Sequence, residues 1–237
     1  MKKDINKLKS SILAKGSLKS YNDIEKLLLY IINNFEESSD EVIKQLLEEK
    51  LIDSEKYSNE IFYFCQLYNC IESIKFLLSN NCVNPTADYN YAIEAASRKG
   101  NVEIVKLLLE DGRADPSADD NYAIKVASEK GYVEIVKLLL EDGRADPSAC
   151  DNYAIEIASQ EGHVGVVKLL LEDGRANPSS GNNYAIRKAS ENGHVEVVKL
   201  LLADKRVNPT AYSNYAIRVA SQNGYVKIVK LLSMYCK

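Results

Sequence analysis

Residues 121–151 read NYAIKVASEKGYVEIVKLLLEDGRADPSACD, and closely similar stretches precede and follow them. The tetrapeptide Asn-Tyr-Ala-Ile recurs every 31 residues, beginning at Asn90, Asn121, Asn152, Asn183 and Asn214. All five prolines of the chain occupy one position of this period, and five of its eleven glycines occupy another. A fixed period of this length indicates a supersecondary unit that is stacked on copies of itself.

Each unit contains two stretches with helical periodicity. In the copy at residues 91–99, Asn90 is the predicted N-cap, because an Asn side chain accepts hydrogen bonds from first-turn N–H groups. Ala92 and Ala96 lie four residues apart on one face, where small side chains let a neighbouring helix approach closely. Gly100 supplies the left-handed residue that ends this helix.

The second stretch, at residues 102–110, is apolar on almost every side. Only Glu103, Lys106 and Glu110 interrupt it, at a spacing that places them on one narrow polar stripe. We therefore expect this helix to be enclosed by its neighbours. The Asp-Pro-Ser segment at 115–117 then predicts a turn before the next unit.

The repeat pattern extends towards the N-terminus in weaker forms. Large side chains replace the alanines in residues 60–90, and residues 29–59 keep the register more weakly, as expected for terminal repeats that cap a stack. Residues 1–20 carry six lysines against one aspartate and are interpreted as a short capping helix or a basic arm. We predict an N-terminal helical cap and degenerate repeat over 1–59. A repeat domain over 60–237 follows, with units at about 60–90, 91–121, 122–152, 153–183, 184–214 and 215–237.

Composition argues against several classes of protein. The net charge is −4 over 237 residues, so no basic field favours nucleic acid or an anionic membrane surface. An odd number of cysteines, five, fits a reducing compartment. No apolar run approaches the ~20 residues of a membrane span, and the charged first residues do not resemble a secretory signal. We therefore expect a soluble, cytoplasmic protein that binds neither nucleic acid nor membrane.

Few residues are candidates for catalysis or metal binding. The two histidines, His163 and His194, occupy a position that holds Asn or Tyr in other units, so we interpret them as structural. The cysteines lack the paired spacing of a zinc site, and no glycine-rich phosphate loop occurs. We expect no enzyme, no cofactor and no metal. A small thiol hydrolase that uses Cys150 and His163 is a disfavoured alternative, since no third group completes it.

The second half of the unit resembles an ankyrin repeat. The segments GHVGVVKLLLEDG at 162–174 and GHVEVVKLLL at 193–202 carry the likeness, which continues in register over residues 60–237. The resemblance implies an all-α, ankyrin-type helical solenoid of stacked helix-turn-helix repeats that acts in protein–protein interaction. The period here is 31 residues instead of the usual 33. Ankyrin repeats are joined by projecting β-hairpins, called fingers. Because the two missing residues come from the tip of this hairpin, we expect the fingers here to be short turns or short β-hairpins.

This short variety of repeat is similar to repeats common in giant DNA viruses and some microbes. The expected partner is therefore a host or cellular protein, and the expected location is the cytoplasm, which for a viral chain is that of the host. A self-associating structural rod is the alternative to a binding module, because residues 231–235 of the last unit show no obvious polar cap. We expect a monomer or weak self-association.

Positions that vary between copies are the predicted contacts with a protein partner. Ankyrin-type proteins usually bind through the concave surface formed by the turns and first helices. The predicted partner-binding residues on that surface are Asp88, Tyr89, Glu94, Asp119, Asp120, Lys125, Cys150, Asp151, Glu156, Asn182, Arg187, Tyr212 and Arg218. The surface changes from acidic near Asp88 to basic near Arg187 and Arg218, which predicts a partner with the opposite polarity.

A ladder of tyrosines accompanies these positions, one in each unit. Its members are Tyr91, Tyr122, Tyr153, Tyr184 and Tyr215. A platform for single-stranded nucleic acid combines such aromatic residues with a basic groove, whereas the neighbouring finger residues here are acidic. We therefore expect each ring to pack between successive units with its hydroxyl at the edge.

Overall fold

A computed structural model describes residues 2–14, 21–53 and 56–235, and it is helical. The helices are α1 (Lys2–Ala14), α2 (Tyr21–Phe35), α3 (Ser39–Glu48), α4 (Ser58–Tyr68), α5 (Ile71–Ser79), α6 (Ala87–Lys99), α7 (Val102–Asp111), α8 (Ala118–Lys130), α9 (Val133–Asp142), α10 (Ala149–Glu161), α11 (Val164–Asp173), α12 (Ser180–Glu191), α13 (Val195–Ala203), α14 (Ala211–Gln222) and α15 (Val226–Ser233). A 3-10 turn, Glu36–Ser38, follows α2. Strands do not occur in the described part of the chain. The predicted all-α fold is confirmed.

The chain divides into two compact units. Unit 1 comprises Met1–Ala96 and Glu103–Ala114, and unit 2 comprises Ser97–Val102 and Asp115–Lys237. In unit 2, α8, α10, α12 and α14 pack on one another in sequence as a first layer, and α9, α11, α13 and α15 form a second layer. Each first-layer helix also packs on the second-layer helix that follows it. Stacked helical hairpins of this kind are the repeats of an ankyrin-type solenoid.

Unit 1 contains the same kind of hairpin. Helix α2 packs on α3, α4 packs on α5, and the two hairpins contact each other through α2 with α4 and through α3 with α5. Helix α1 lies within residues 1–20, where a short capping helix or a basic arm is predicted, and it buries Ile5 and Ile12 while Leu13 is exposed. The remainder of that predicted segment, residues 15–20, lies outside the described residues.

The side chain of Asp40 fastens one hairpin of unit 1 to the next. Its Oδ2 accepts a hydrogen bond from the backbone N of Glu72 at 2.7 Å, and its Oδ1 accepts one from the backbone N of Ser73 at 2.9 Å. The Ser73 hydroxyl donates to the same carboxylate at 2.6 Å. A carboxylate at a helix N-terminus satisfies free N–H groups and favours the helix dipole. Asp40 therefore caps α5 from the preceding hairpin.

The small residues predicted for the close face of the first helices are buried in unit 2. Ala127 and Ala158 are 0% exposed, as is Ile155. In unit 1 the polar stripe predicted for α7 is exposed at all three of its positions. The alternation of small and large apolar residues thus lets helices of successive repeats approach closely, and α7 keeps its charged side chains in water.

Two first-layer helices end at a glycine, and a histidine ring of the next repeat packs against each of these glycines. Gly131 and Gly162 have φ of +73° and +79°, which side-chain-bearing residues rarely adopt. A Cβ atom on Gly131 would lie 2.6 Å from His163 Nδ1, and one on Gly162 would lie 2.5 Å from His194 Nδ1. Glycine is therefore required both for the backbone conformation and for space.

The predicted fingers are turns that contain three successive left-handed residues. Asp119, Asp120 and Asn121 have φ of 48°, 53° and 63°. The same conformation recurs at 88–90, 150–152, 181–183 and 212–214. This region costs most L-residues about 1–2 kcal/mol each, and Asn and Asp tolerate it best. Right-handed helix begins only after the Asn of each copy, which is the start predicted from the sequence.

Candidate partner-binding surface

Most of the predicted partner-binding residues lie at the surface. In unit 2 the exposed members are Asp119, Asp120, Cys150, Asp151, Asn182, Tyr212 and Arg218. The half-buried members are Lys125, Glu156 and Arg187. In unit 1, Asp88 is exposed and Tyr89 is 90% exposed, whereas Glu94 is only 8% exposed. Glu94 thus differs from its copies, since little of its carboxylate reaches the surface.

Variable residues of the first helices contact the turn of the following repeat. Lys125 Nζ donates a hydrogen bond to Cys150 Sγ at 3.3 Å. A Cβ atom on Gly181 would lie 2.9 Å from Glu156 Oε1. Both pairs are related by the repeat, so the two sets of variable positions are spatial neighbours. The side chain at the first-helix position therefore limits which side chain fits at the turn position of the next repeat. This constraint acts in addition to any contact that either residue makes with a partner.

Arg187 is held by aromatic rings of its own and the next repeat. Its guanidinium lies 5.6 Å from the ring centroid of Tyr184, 4.8 Å from that of Tyr212 and 5.4 Å from that of Tyr215. Its Nε and Nη2 also donate to two carbonyl oxygens of the preceding turn, at 3.2 and 2.9 Å. Arg218 is exposed, with its guanidinium 6.0 Å from the Tyr215 ring. Arg218 is therefore the more accessible of the two predicted basic contacts.

Three hydroxyls of the tyrosine ladder form hydrogen bonds with side chains of the first helix of the preceding repeat, each 24 residues earlier in the sequence. The bonds join Arg98 Nε to Tyr122 Oη (3.2 Å), Tyr184 Oη to Gln160 Oε1 (3.2 Å) and Tyr215 Oη to Glu191 Oε2 (3.3 Å). Burial, and then the nearby Glu129 carboxylate, raises the pKa of Tyr153. The rings therefore bridge successive repeats with their hydroxyls at the edge, as the sequence predicts.

A cavity of about 220 Å³ lies on this surface of unit 2. Its lining residues are Tyr122, Lys125, Val126, Glu129, Cys150 and Tyr153. Val126 is buried and forms an apolar part of the lining, while Tyr153 remains 38% exposed. The cavity therefore combines two aromatic rings, an apolar side chain, a thiol, a lysine and a carboxylate at a place that solvent reaches.

Sequence reasoning missed an arginine clamp between successive repeats. The Arg175 guanidinium donates to both carboxylate oxygens of Asp173 at 2.9 Å, and Nη1 donates to the carbonyl oxygen of Ala145, 30 residues earlier, at 2.9 Å. Arg113 and Arg206 bind Asp111 and Asp204 in the same way and reach carbonyls of the preceding repeat. The Arg partner lowers the pKa of each of these aspartates. The recurring Asp-x-Arg spacing is the signal that could have predicted the clamp.

The recurring Asn serves a different purpose from the predicted helix cap. Asn121 Oδ1 accepts a hydrogen bond from the backbone N of Asp146 at 2.6 Å, across 25 residues. The copies Asn152 and Asn183 accept equivalent bonds from Asn177 and Asn208, also at 2.6 Å. Because these Asn residues have a left-handed backbone, their side chains point to the next turn. The predicted cap is therefore wrong for these copies, and the Asn links repeats.

The two members of the alternative thiol hydrolase do not form a dyad. His163 Nε2 hydrogen-bonds with the carbonyl oxygen of Glu129 at 2.9 Å, and its ring packs on Gly131. The thiol of Cys150 instead contacts Lys125. Within the described ranges, no cluster of three or more His, Cys, Asp or Glu side chains could hold a metal ion. No helix of that same part is long and apolar enough to cross a membrane.

Unit 1 presents a tyrosine and a leucine at two positions where later repeats have charged residues or glutamine. Counting back 31 residues from Glu94 and Arg98 leads to Tyr63 and Leu67, each of which is 44% exposed. The Tyr63 ring centroid lies 6.2 Å from that of Tyr91, which is 37% exposed. The predicted variable positions begin at Asp88 and leave out the earlier part of the degenerate repeat at residues 60–90. The register would have predicted these residues.

Comparisons with known proteins agree with this geometry. The sequence model of a family described as ankyrin repeats (3 copies) matches residues 12–120, 62–151, 93–182 and 155–237. Among 161 matching solved chains is the crystal structure of EF0377, an ankyrin repeat protein. The two chains are 24% identical in sequence and superpose with a TM-score of 0.63. The match covers 73% of this chain and 96% of EF0377, and it supports the fold. No curated protein matches the sequence. The family match extends over most of the chain, which therefore belongs to the ankyrin repeat family.

Proposed function

We propose that this chain is a non-enzymatic interaction module that binds a protein partner through the turns and first helices of unit 2. Ankyrin repeats are generally protein–protein interaction modules. The observation that carries the proposal is the division of each repeat into buried and exposed positions. Recurring residues such as Ala158 are buried, whereas the residues that differ between copies, such as Asp120 and Tyr212, are exposed. Variation at exposed positions of a fixed framework is suited to specifying a partner.

The charge of this surface suggests which part of a partner faces which repeat. Asp119, Asp120 and Asp151 are exposed in two adjacent turns, and Arg218 is exposed on α14. A basic segment of the partner would be attracted to the aspartates, and an acidic one to Arg218. Arg187 is part of an aromatic cluster, so we assign the basic contact to Arg218.

Binding experiments with charge-reversal variants test the proposal. The immobilised chain is used to capture proteins from cell extracts, in parallel with an Asp119→Lys/Asp120→Lys variant and an Arg218→Glu variant. The control is Lys168→Glu, since this side chain is 61% exposed on a second-layer helix. We expect a partner that both surface variants lose and the control retains. Identical captured proteins for all four chains would refute the proposed surface.

The same samples distinguish a binding module from a self-associating rod. A rod predicts oligomers whose mass rises with protein concentration, and light scattering measures this directly. We propose a monomer or weak self-association, and we keep the division into a cap at 1–59 and a repeat domain at 60–237 as part of the proposal. The cytoplasmic location, the viral kinship and the host partner stay predictions.

A further inference from the structure

The residues that line the cavity of unit 2 have counterparts two repeats later, where an arginine of the chain lies against tyrosine rings. Adding 62 to the number of each lining residue gives Tyr184, Arg187, Lys188, Glu191, Tyr212 and Tyr215. In this counterpart the Arg187 guanidinium lies within 5.6 Å of three tyrosine ring centroids. The repeat geometry thus places an arginine over tyrosines at the equivalent site.

A second arginine of the chain, Arg98, lies against a ring of the tyrosine ladder in the preceding repeat. The Arg98 guanidinium lies 5.1 Å from the Tyr122 ring centroid, and Nε donates to Tyr122 Oη at 3.2 Å. One repeat later, the position of Arg98 is occupied by Glu129 and the position of Tyr122 by Tyr153. The cavity therefore has the Glu129 carboxylate at the position where the preceding repeat has the Arg98 guanidinium.

Two cations of the chain, Lys125 in the lining of the cavity and Lys130 next to Glu129, each contact another side chain. Lys125 stands at the position of Arg187, but its Nζ lies 3.3 Å from Cys150 Sγ. Lys130 Nζ lies 3.4 Å from Glu129 Oε1, and both side chains of this pair are more than 40% exposed. Such exposed ion pairs contribute little and exchange readily. Glu129 can therefore pair with a cation that enters from outside.

We propose that the cavity between Tyr122 and Tyr153 binds an arginine side chain of the protein partner, with its guanidinium against the two rings and paired with Glu129. This inference rests on the proposed function and names the chemistry of one partner contact. A volume of about 220 Å³ suits a single long side chain. Sites for drug-sized ligands occupy about 300–1,000 Å³. Arginine is favoured over lysine, because a planar guanidinium stacks on aromatic rings and pairs with a carboxylate through two N–H groups.

NMR titration of the whole chain with a small probe tests the inference. The probe is N-acetyl-arginine N-methylamide, and the signals followed are those of ¹³C-labelled tyrosines, assigned by Tyr→Phe substitution. We expect saturable shifts at Tyr122 and Tyr153, with the neutral citrulline analogue about fivefold weaker or worse, since it lacks the charge. Glu129→Gln should weaken binding by a similar factor. Glu134→Gln, an exposed carboxylate on α9, is the matched control and should leave binding unchanged.

A second variant imitates the contact between Arg98 and Tyr122 in the preceding repeat. Glu129→Arg should place a guanidinium on Tyr153, as Arg98 does on Tyr122, and should abolish probe binding while circular dichroism shows a folded chain. Shifts that do not saturate, equal binding of the citrulline analogue, or unchanged binding by Glu129→Gln would each overturn the inference. These outcomes are separate from the capture experiment. Capture without probe binding refutes only the arginine contact, and probe binding without capture refutes only the proposed function.

Discussion

The arginine clamp yields a sharp prediction about how successive repeats are held together. Arg175→Ala removes a guanidinium that donates hydrogen bonds to both carboxylate oxygens of Asp173. The same guanidinium donates to the carbonyl oxygen of Ala145 at 2.9 Å. The substitution removes the side-chain donors of that carbonyl and of the Asp173 carboxylate, which keeps only the bond from the backbone N of residue 175 at 3.2 Å. It removes no residue of the buried core, so its effect reports the clamp alone.

The expected magnitude follows from the exposure of the groups. A hydrogen bond that involves a charged group contributes about 1.5–3 kcal/mol, and an exposed ion pair contributes about 0.2–1 kcal/mol. The Arg175 side chain is 38% exposed, so solvent screening reduces both contributions. We expect Arg175→Ala to lower the free energy of unfolding by about 2 kcal/mol.

Urea denaturation followed by circular dichroism measures this loss. With a slope of about 2–3 kcal/mol per molar urea, the midpoint should fall by ~0.7–1 M. Arg175→Lys keeps the charge and loses the planar fork, so it should lose most of the same stability. Lys168→Ala is the control, because its ion pair with Glu172 at 3.7 Å is about 60% exposed on both sides.

A midpoint shift for Arg175→Ala no larger than that for Lys168→Ala would refute a stabilising role of the clamp. An Arg175→Lys variant as stable as the natural chain would contradict the need for the fork, because a positive charge without it would then suffice. The first result would mean that the clamp contributes nothing to stability, and the second that its planar, two-pronged geometry does not matter.

The remaining predictions concern the same repeats. Ser159→Ala should raise the free energy of unfolding by about 1 kcal/mol, because the buried Ser159 hydroxyl has no hydrogen-bond partner; a lower urea midpoint would contradict this. Ala158→Leu should lower it by about 1–3 kcal/mol, since the alanine is 0% exposed between helices; an unchanged midpoint would show that the space is not filled. Asp120→Val should cost about 1–2 kcal/mol at a φ of +53°, whereas Asp120→Gly should cost nothing or stabilise, and equal midpoints for the two variants would exclude backbone strain. The Arg175 partner holds the pKa of Asp173 below its usual 3.8 in the folded chain. The clamp is therefore fully formed above that pH and weakens as the pH falls below it. The difference in midpoint between the natural chain and Arg175→Ala should shrink in that acid window, and a difference that is constant from pH 6 to pH 2.5 would disprove this linkage.

The sequence alone determined the repeat, the two helices of each unit and the family. Local patterns carry that information: Ala123 and Ala127 are four residues apart, Gly131 ends the helix, and the polar stripe of the second helix repeats at helical spacing. These signals depend on residues within one or two helical turns. The periodicity then implies stacking, because a single unit cannot bury its apolar faces.

Tertiary contacts decided which of the predicted partner-binding residues remain accessible to a partner. Arg187 was predicted to contact a partner, and it lies in a cluster of tyrosines; Glu94 was predicted at the surface and is buried. The side chains of Asn121 and Arg175 bind backbone atoms 25 and 30 residues away. Such pairings depend on the rotation and distance between successive repeats.

Local patterns in the sequence do not encode that rotation and distance. The same variable position therefore holds an exposed Arg218, an Arg187 stacked on rings and a Lys125 turned to a thiol. Each outcome depends on which side chain the next turn presents across the interface. The sequence determined that repeats stack, and the packing between them decided which charges remain available to a partner.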